Sequence, residues 1–290
     1  MPTDWAVTYI ALIAKSSDLD QPGEFRPIAV GKTDGKIFFT IIADRLQQYM
    51  ISNKYLKLKK QKGFLAGMSG CLEHSFVLWE AFRNAKQHKK SIVTTWIDLA
   101  NAYGSVRHNL IQFALNWYHV PKLIQDLIFN YYESLCAKIV TENWSTGFFL
   151  FDIGCFQGCV LSAILFDCVF NLLLDFLEAM ENLGYQFSAV KAINMDQAYA
   201  DDLSLTTKDA VSNQKVIDRT DIWLKWTKTM AAKPKKCVST AYRQFPRDAK
   251  PFKNFKPIIN TVHAPYDPLL IISGKPIRHI LDPTNDDDFK

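Results

Sequence analysis

Three acidic side chains are the residues of this sequence best suited to chemistry. Asp98 follows a run of β-branched and aromatic residues, and Asp201 and Asp202 stand together between two more apolar runs. Carboxylates from separate segments, once brought together, can hold Mg²⁺, which prefers oxygen ligands in an octahedron. Two such cations about 4 Å apart are what nucleotidyl transfer requires. Taken singly, an Asp after a strand is usually a helix cap, and an Asp-Asp pair is usually a solvated turn.

The elements around these acids can be predicted from residue pattern. Residues 91–97 read as a central strand ending at Asp98. Residues 194–200 and 203–207 flank the acidic pair and predict a β-hairpin with both acids at its tip. Shorter strands are expected near 136–141 and 147–153, and a last strand near 269–272. Helical periodicity covers residues 37–46, 71–89, 109–118, 122–135, 161–177 and 213–229. Strands and helices alternate irregularly, which favours an α+β fold over a doubly wound sheet.

One predicted helix, residues 161–177, is apolar enough to resemble a membrane span. Asp167, Asn171 and Asp175 recur in it at every fourth position, which places a polar stripe along one face. We therefore expect a buried amphipathic helix and no membrane association.

Composition narrows the class of protein without selecting a function. The 290 residues are 48% hydrophobic and 22% charged, as in globular proteins, and the net charge of +5 allows a polyanionic partner without requiring one. Five lysines between positions 54 and 62 form either a solvated face or a contact for a nucleic-acid backbone. The six cysteines lack metal-ligand spacing and no secretory leader precedes them, so reduced thiols in an intracellular protein are expected.

Short motifs in a fixed order identify a family where single motifs do not. They are Phe25-Arg26-Pro27-Ile28, Gln61-Lys62-Gly63-Phe64, Asp98-Leu99-Ala100-Asn101-Ala102-Tyr103, Gly154-Cys155-Phe156-Gln157-Gly158, Leu161-Ser162 and Tyr199-Ala200-Asp201-Asp202. With them, nearly the whole chain resembles the reverse transcriptases, and among these the enzymes of non-LTR (LINE-type) retrotransposons.

The resemblance implies a right-hand polymerase fold of the α+β class, with an antiparallel palm sheet backed by helices. Residues 1–90 would be fingers, and 91–245 would be palm with a fingers insertion carrying the catalytic motifs. Residues 246–290 would be an incomplete segment leading toward a primer grip and a thumb that are absent.

The resemblance also assigns the metal ligands. Asp98 matches the first metal-binding Asp, and the main-chain carbonyl of Leu99 would be a further ligand. Asp201 would be the second bridging ligand. Asp202 would mainly support the turn and the electrostatic field at the site. Two Mg²⁺ ions are implied, with Mn²⁺ as an alternative.

Other matched positions would bind the nucleotide and template. Tyr103 sits where the family places an aromatic gate against the ribose 2′-OH, although it could also be a packing aromatic. Gly154, Gln157 and Gly158 match a loop that approaches nucleotide and template. Arg26 matches a fingers position near the triphosphate.

Some positions are undecided or depart from the family. Lys233, Lys235 and Lys236 lie where a lysine acts on the leaving pyrophosphate, and the sequence does not choose among them. Gly104 replaces an Asp common in relatives, and Leu65 stands where a basic residue is frequent. These departures affect fingers and phosphate contacts more than metal binding.

The implied function is RNA-directed DNA polymerase, extending a DNA or RNA primer on an RNA template with dNTPs, in the nucleus or the cytoplasm. No protein partner is assigned. One alternative is a truncated retroelement remnant that at most binds nucleic acid. A metal-dependent nuclease also fits the acids, but leaves Tyr103 and the Gly154 loop without a role.

Overall fold

The computed structural model describes residues 2–15, 21–65, 67–68, 70–190 and 192–242, and the backbone at 271–272, 275–276 and 278–280. The helices are α1 Thr33–Ser52, α2 Cys71–His88, α3 His108–Trp117, α4 Lys122–Glu133, α5 Val160–Leu177 and α6 Ala210–Thr227. The strands are β1 Val7–Ala14, β2 Phe25–Val30, β3 Ile92–Ile97, β4 Cys136–Ile139, β5 Phe149–Leu150, β6 Tyr185–Gln186, β7 Ile193–Asn194, β8 Asp196–Tyr199, β9 Asp202–Thr207, β10 Val238–Tyr242, β11 Ile271–Ile272, β12 Lys275–Pro276 and β13 Arg278–Ile280. The chain divides into two compact units, the first Met1–Lys57 with Asn101–Leu172 and the second Leu58–Ala100 with Leu173–Lys290.

The first unit is built on a sheet of order β2-β1-β4-β5. Strand β1 pairs antiparallel with β2 and parallel with β4, and β4 pairs antiparallel with β5. Helices α1, α3 and α4 bury aromatic and aliphatic side chains in its core. The rings of Phe39 on α1 and Tyr131 on α4 lie 4.3 Å apart between centroids.

Helix α5 carries the predicted polar stripe, and two residues of that stripe, Asp167 and Asn171, are fully buried. The Asn171 amide donates to the Tyr55 carbonyl at 2.9 Å and to the Tyr118 hydroxyl at 2.8 Å, and its oxygen accepts from Lys57 N at 3.0 Å. Asp167, by contrast, has no hydrogen-bond partner on either carboxyl oxygen among the described residues. Burial alone raises the pKa of the Asp167 carboxyl well above its usual range, which favours its neutral form.

Among the described helices, one is long and apolar enough to cross a membrane by length and composition, the stretch Val160–Leu183 that contains α5. Most of this stretch is buried inside the structure, as in the core helix of a globular protein. The expectation of a buried helix is therefore confirmed.

The second unit contains a sheet of order β13-β10-β3-β9-β8. Strand β3 lies in the middle and pairs antiparallel with both β9 and β10. Strands β8 and β9 form an antiparallel hairpin, while β13 joins the far edge parallel to β10. All residues of β3 except Trp96 are buried, which fits its run of β-branched side chains.

Helices α2 and α6 supply the apolar side chains that cover this sheet. Ala81, Phe82 and Ala85 of α2 form a buried cluster with Ile92 and Tyr185. A polar contact also ties α6 to the sheet: the Asn213 amide oxygen accepts from Thr95 Oγ1 at 2.6 Å, and its nitrogen donates to the Leu205 carbonyl at 3.0 Å.

The α+β prediction is confirmed, and several predicted boundaries are wrong. Helix α6 begins three residues before the predicted start at 213, because the Asp209 side chain accepts from Ser212 N and caps the helix there. Strand β5 spans only Phe149–Leu150 of the predicted 147–153. The strand expected at 269–272 is present as β11 at Ile271–Ile272, and positions 269 and 270 lie outside the described residues.

Candidate active site

The three predicted catalytic acids come together at one end of the sheet in the second unit. Ile97, the last residue of β3, pairs with Leu203 on β9. Continuing this antiparallel register by one residue sets Asp98 opposite Asp202. Tyr199 pairs with Asp202 across the hairpin, so Asp201 lies in the two-residue turn between them. The prediction that both acids lie at the hairpin tip needs correction: Asp202 is the first residue of β9.

The electrostatics of the acids reflect this proximity. Incomplete hydration raises the pKa of the Asp201 carboxyl, and the charges of Asp202 and Asp98 raise it further. The Asp202 pKa is also raised, first by loss of hydration and then by the charge of Asp98. Within the described part of the chain, none of the three carboxylates forms an ion pair. A bound cation would favour their ionised forms and reverse these shifts.

The backbone after β3 is held by the segment that precedes the predicted lysines. Lys233 N donates to the Asp98 carbonyl at 2.7 Å, and Ala100 N donates to the Ala231 carbonyl at 2.8 Å. Leu99 and Ala232 form the bridge between these two hydrogen bonds. The Leu99 carbonyl accepts no hydrogen bond from the described residues, which leaves its lone pairs available to a ligand.

A cleft in the second unit is lined by Asp98 and Asp202 together with Lys235 and Lys236. Lys233 does not line it, and its backbone N–H is already engaged with Asp98. Which of the three lysines would act on the pyrophosphate remains a prediction.

The donor set is suited to a divalent cation that also binds phosphate. Over the described residues, no three His, Cys, Asp or Glu side chains are grouped closely enough to hold a metal ion by themselves, and this includes the three acids. Mg²⁺ sites in nucleotide-binding proteins usually take one or two carboxylates and complete the octahedron with phosphate oxygens and water. Asp98 and Asp202, which line one cleft, would supply two carboxylates of that pattern, and the Leu99 carbonyl would supply a further oxygen.

In the first unit, the Gly154 loop depends on two close backbone approaches. Gly154 and Gly158 have φ of +100° and +104°, which side-chain-bearing residues rarely adopt. A Cβ on Gly154 would lie 3.0 Å from the Gly104 backbone, and one on Gly158 would lie 2.6 Å from the Ala29 carbonyl oxygen. The Gln157 carbonyl accepts from Ala29 N at 2.7 Å, so the loop is fastened to β2.

The Gly104 departure has a steric reason. A Cβ at Gly104 would lie 2.3 Å from the Asn101 side chain, and the Gly154 backbone packs against the same glycine. A side chain at position 104 would therefore require the Asn101 side chain to shift.

Tyr103 and Arg26 also belong to the first unit. The Tyr103 ring stacks on Phe166 with centroids 4.5 Å apart and planes inclined by 12°. This contact gives Tyr103 a packing role, which was the alternative to a gate. Arg26 is exposed on β2, where it pairs with Ile13 of β1. The roles of Tyr103, Arg26 and the Gly154 loop at a nucleotide remain predictions.

Two features of the second unit escaped the sequence interpretation. Gln61 is fully buried and hydrogen-bonded to Ala200, and Lys60 forms an ion pair of 2.8 Å with buried Asp196. Gln61 begins the Gln61-Lys62-Gly63-Phe64 motif, but nothing in a single sequence shows that its amide reaches a residue 139 positions away.

Comparison with known proteins shows the family of this chain. The family model "Reverse transcriptase (RNA-dependent DNA polymerase)" matches residues 13–255, and the chain belongs to this family. The Pol polyprotein of the R2DM retrotransposable element of Drosophila melanogaster is 28% identical over 220 residues, covering 76% of this chain and 20% of the relative. The R2 polyprotein of Nasonia vitripennis is 25% identical over 230 residues, covering 79% and 21%. These relatives make it a reverse transcriptase chain of the non-LTR type, and it spans about a fifth of their length.

A solved structure supports the fold. Apo telomerase from Candida tropicalis superposes with a TM-score of 0.61 at 14% identity, covering 82% of this chain and 45% of that one. The predicted right-hand polymerase fold is thereby confirmed.

Proposed function

We propose that this chain catalyses RNA-directed DNA synthesis, joining a dNTP to the 3′-OH of a DNA or RNA primer paired with an RNA template. The observation that carries the proposal is the register of β3 against the β8–β9 hairpin, which groups Asp98, Asp201 and Asp202. Family membership gives the reaction class. A telomerase of the same fold has been solved with its telomeric RNA, which supports an RNA template.

The acids would hold the divalent metal on which this family depends. Asp98 and Asp201 would be shared ligands, with the Leu99 carbonyl and Asp202 beside them. When bound, two Mg²⁺ ions, or Mn²⁺ in their place, would stabilise the attacking 3′-oxygen and the leaving pyrophosphate.

The protein's own groups position the reactants. The primer 3′-oxygen forms a bond to the α-phosphorus as the bond to pyrophosphate breaks, and charge builds on the leaving group. Lys235 or Lys236, in the cleft beside Asp98 and Asp202, would offset that charge or protonate the leaving oxygen.

Residues of the first unit would select the nucleotide. Tyr103 would exclude the 2′-OH of a ribonucleotide, and Gly154, Gln157 and Gly158 would lie along the nucleotide and template. Arg26 would contact the triphosphate. In this assignment residues 1–90 are fingers, 91–245 are palm with a fingers insertion, and the protein works inside the cell.

Nucleic-acid binding without catalysis is the second candidate, and one exposed surface favours it. The rings of Tyr9 and Phe148 lie 6.2 Å apart, and Lys138 Nζ is 5.7 Å from the Phe148 ring centroid. Tyr9 and Phe148 are about half exposed. Exposed aromatic rings with a cation beside them are typical of single-strand binding surfaces.

Primer extension on poly(rA)/oligo(dT) with Mg²⁺ separates the two candidates. The wild type should extend the primer, and the Asp201→Asn, Asp202→Asn double variant should not. Both proteins should bind a labelled poly(rA)/oligo(dT) duplex with equal affinity, measured as the increase in its fluorescence anisotropy. Equal extension by both proteins would refute the polymerase proposal, and binding without extension would leave the second candidate.

A further inference from the structure

Gln61 lies against the β8–β9 hairpin, to which it is joined by an isolated β-bridge. Ala198 N donates to the Lys60 carbonyl at 2.7 Å, and Lys62 N donates to the Ala198 carbonyl at 3.0 Å. Gln61 and Ala198 thus form a parallel bridge at the edge strand β8. The Gln61 side chain is fully buried by this arrangement.

The Gln61 carboxamide engages both backbone groups of Ala200. Its Oε1 accepts from Ala200 N at 2.8 Å and from Gly63 N at 2.8 Å. Its Nε2 donates to the Ala200 carbonyl at 3.1 Å. A buried side chain that both donates to and accepts from one residue restrains the two peptide planes that flank it.

Ala200 needs such restraint because of its conformation. It occupies the first position of the hairpin turn and has φ of +54°. For a residue with a Cβ, the left-handed region is disfavoured because the Cβ approaches the following carbonyl oxygen. The approach of the Gln61 segment is also tight, since a Cβ on Gly63 would lie 2.2 Å from Ala200 N. Asp201 follows Ala200 directly, so the Ala200 carbonyl belongs to the peptide that sets the Asp201 backbone.

We propose that Gln61 is a positioning residue that holds the strained Ala200 turn so that the Asp201 carboxylate faces Asp98. Its effect on catalysis rests on the proposed function. Gln61 touches neither substrate nor acid, so it acts through the backbone alone.

Two substitutions separate positioning from bulk packing. Gln61→Leu removes all three hydrogen bonds. Gln61→Glu keeps the shape and has two states: the ionised carboxylate sets an oxygen against the Ala200 carbonyl, whereas the protonated acid donates there as the amide does. Burial favours the protonated form, so this variant should recover function as the pH falls.

Gln125→Leu in the first unit is the matched control. Gln125 is also a buried glutamine whose Nε2 donates to a backbone carbonyl, that of Val120, at 2.8 Å. It therefore reproduces the loss of a buried amide away from the hairpin.

The experiment measures primer extension and amide hydrogen exchange on all four proteins. Gln61→Leu should lower kcat by roughly 10²-fold, the scale of an ångström-sized misplacement, with little change in KM for dTTP. Amide exchange at Ala200 should accelerate in Gln61→Leu alone. The activity of Gln61→Glu relative to wild type should rise from pH 8.5 to pH 6.5.

The proposal is overturned if the Ala200 amide of Gln61→Leu stays protected from exchange. It is also overturned if the activity of Gln61→Glu relative to wild type is independent of pH, or if Gln125→Leu lowers kcat as much as Gln61→Leu does. Failure of the proposed function looks different. The wild type would then extend no more primer than the Asp201→Asn, Asp202→Asn variant, and the exchange of Ala200 would still decide whether Gln61 holds the turn.

Discussion

The β8–β9 hairpin of the second unit and Asp167, on the part of helix α5 that belongs to the first unit, both remove carboxyl groups from water, with opposite outcomes. At the hairpin, Asp201 and Asp202 share one sheet end with Asp98. Loss of hydration raises the pKa of both, and the charge of Asp98 raises both further. On α5, Asp167 is alone, and burial by itself favours its neutral form. Like charges gathered at a cleft provide a place for a cation, whereas a lone buried acid only weakens the fold.

The hairpin also contains a buried acid that is paired. Asp196 at the start of β8 is 1% exposed and lies 2.8 Å from Lys60, whose side chain is 13% exposed. Burial still raises the Asp196 pKa, although Lys60 opposes the shift. In the second unit, a lysine therefore pairs with the buried carboxylate of Asp196. In the first unit, Asp167 has no such partner among the described residues.

The largest expected effect is at the clustered acids. Asp201→Asn should lower primer extension on the order of 10⁴-fold, as removal of one catalytic carboxylate can. The same variant should be at least as stable as wild type in thermal unfolding, because it removes a poorly hydrated charge from a repulsive cluster. Asp44→Asn on α1 serves as the control and should retain activity. A marked loss of stability in Asp201→Asn would mean that the acids serve the fold.

The next largest effect is expected on stability, when buried Asp196 loses its lysine partner. Lys60→Met leaves Asp196 buried without its partner and should cost roughly 3–5 kcal/mol in urea unfolding. Lys122→Met breaks an exposed pair with Asp126 of similar length, 2.7 Å, and should cost no more than about 1 kcal/mol. Equal costs for the two variants would contradict the contrast drawn between buried and exposed pairs.

Substitution of the unpaired acid Asp167 should increase stability, and the increase should depend on pH. The folded Asp167 pKa is raised, so the unfolded chain releases its proton at lower pH than the folded chain does. Wild-type stability therefore falls as pH rises above the ordinary Asp range, and Asp167→Asn escapes this loss. The stability gap should widen by up to about 1.4 kcal/mol per pH unit between pH 5 and pH 8.

Exposed Asp126, which pairs with Lys122 at 2.7 Å, provides the comparison for that experiment. Asp126→Asn should show a small difference from wild type that changes little over the same range. A gap for Asp167→Asn that is independent of pH would show that Asp167 is not kept neutral.

The smallest expected effect is on the pH profile of activity. The raised Asp201 and Asp202 pKa values place the acid limb of primer extension above the ordinary Asp range. Higher Mg²⁺ concentration should move this limb to lower pH, because bound cations favour ionised carboxylates. Profiles measured at limiting and saturating Mg²⁺ would show the shift, and coincident profiles would argue against metal binding by these acids.

Much of the fold near the site was predictable because it follows local pattern. The β-branched run before Asp98 is β3, and the apolar runs around Asp201 are the hairpin. Strand lengths were less predictable, as the two residues of β5 show, since pairing partners decide where a strand ends. The α6 start was missed because Asp209 was not recognised as its cap.

The sequence by itself determined the acids, their order along the chain and the family, because these depend on residue identity and spacing. Only the tertiary structure decided that Gln61 reaches Ala200, that Lys60 pairs with Asp196 and that Asp167 has no partner among the described residues. Such contacts join positions far apart in the chain and leave no periodic signal. They depend on which backbone segments the fold brings together, and that is set by the packing of the whole unit.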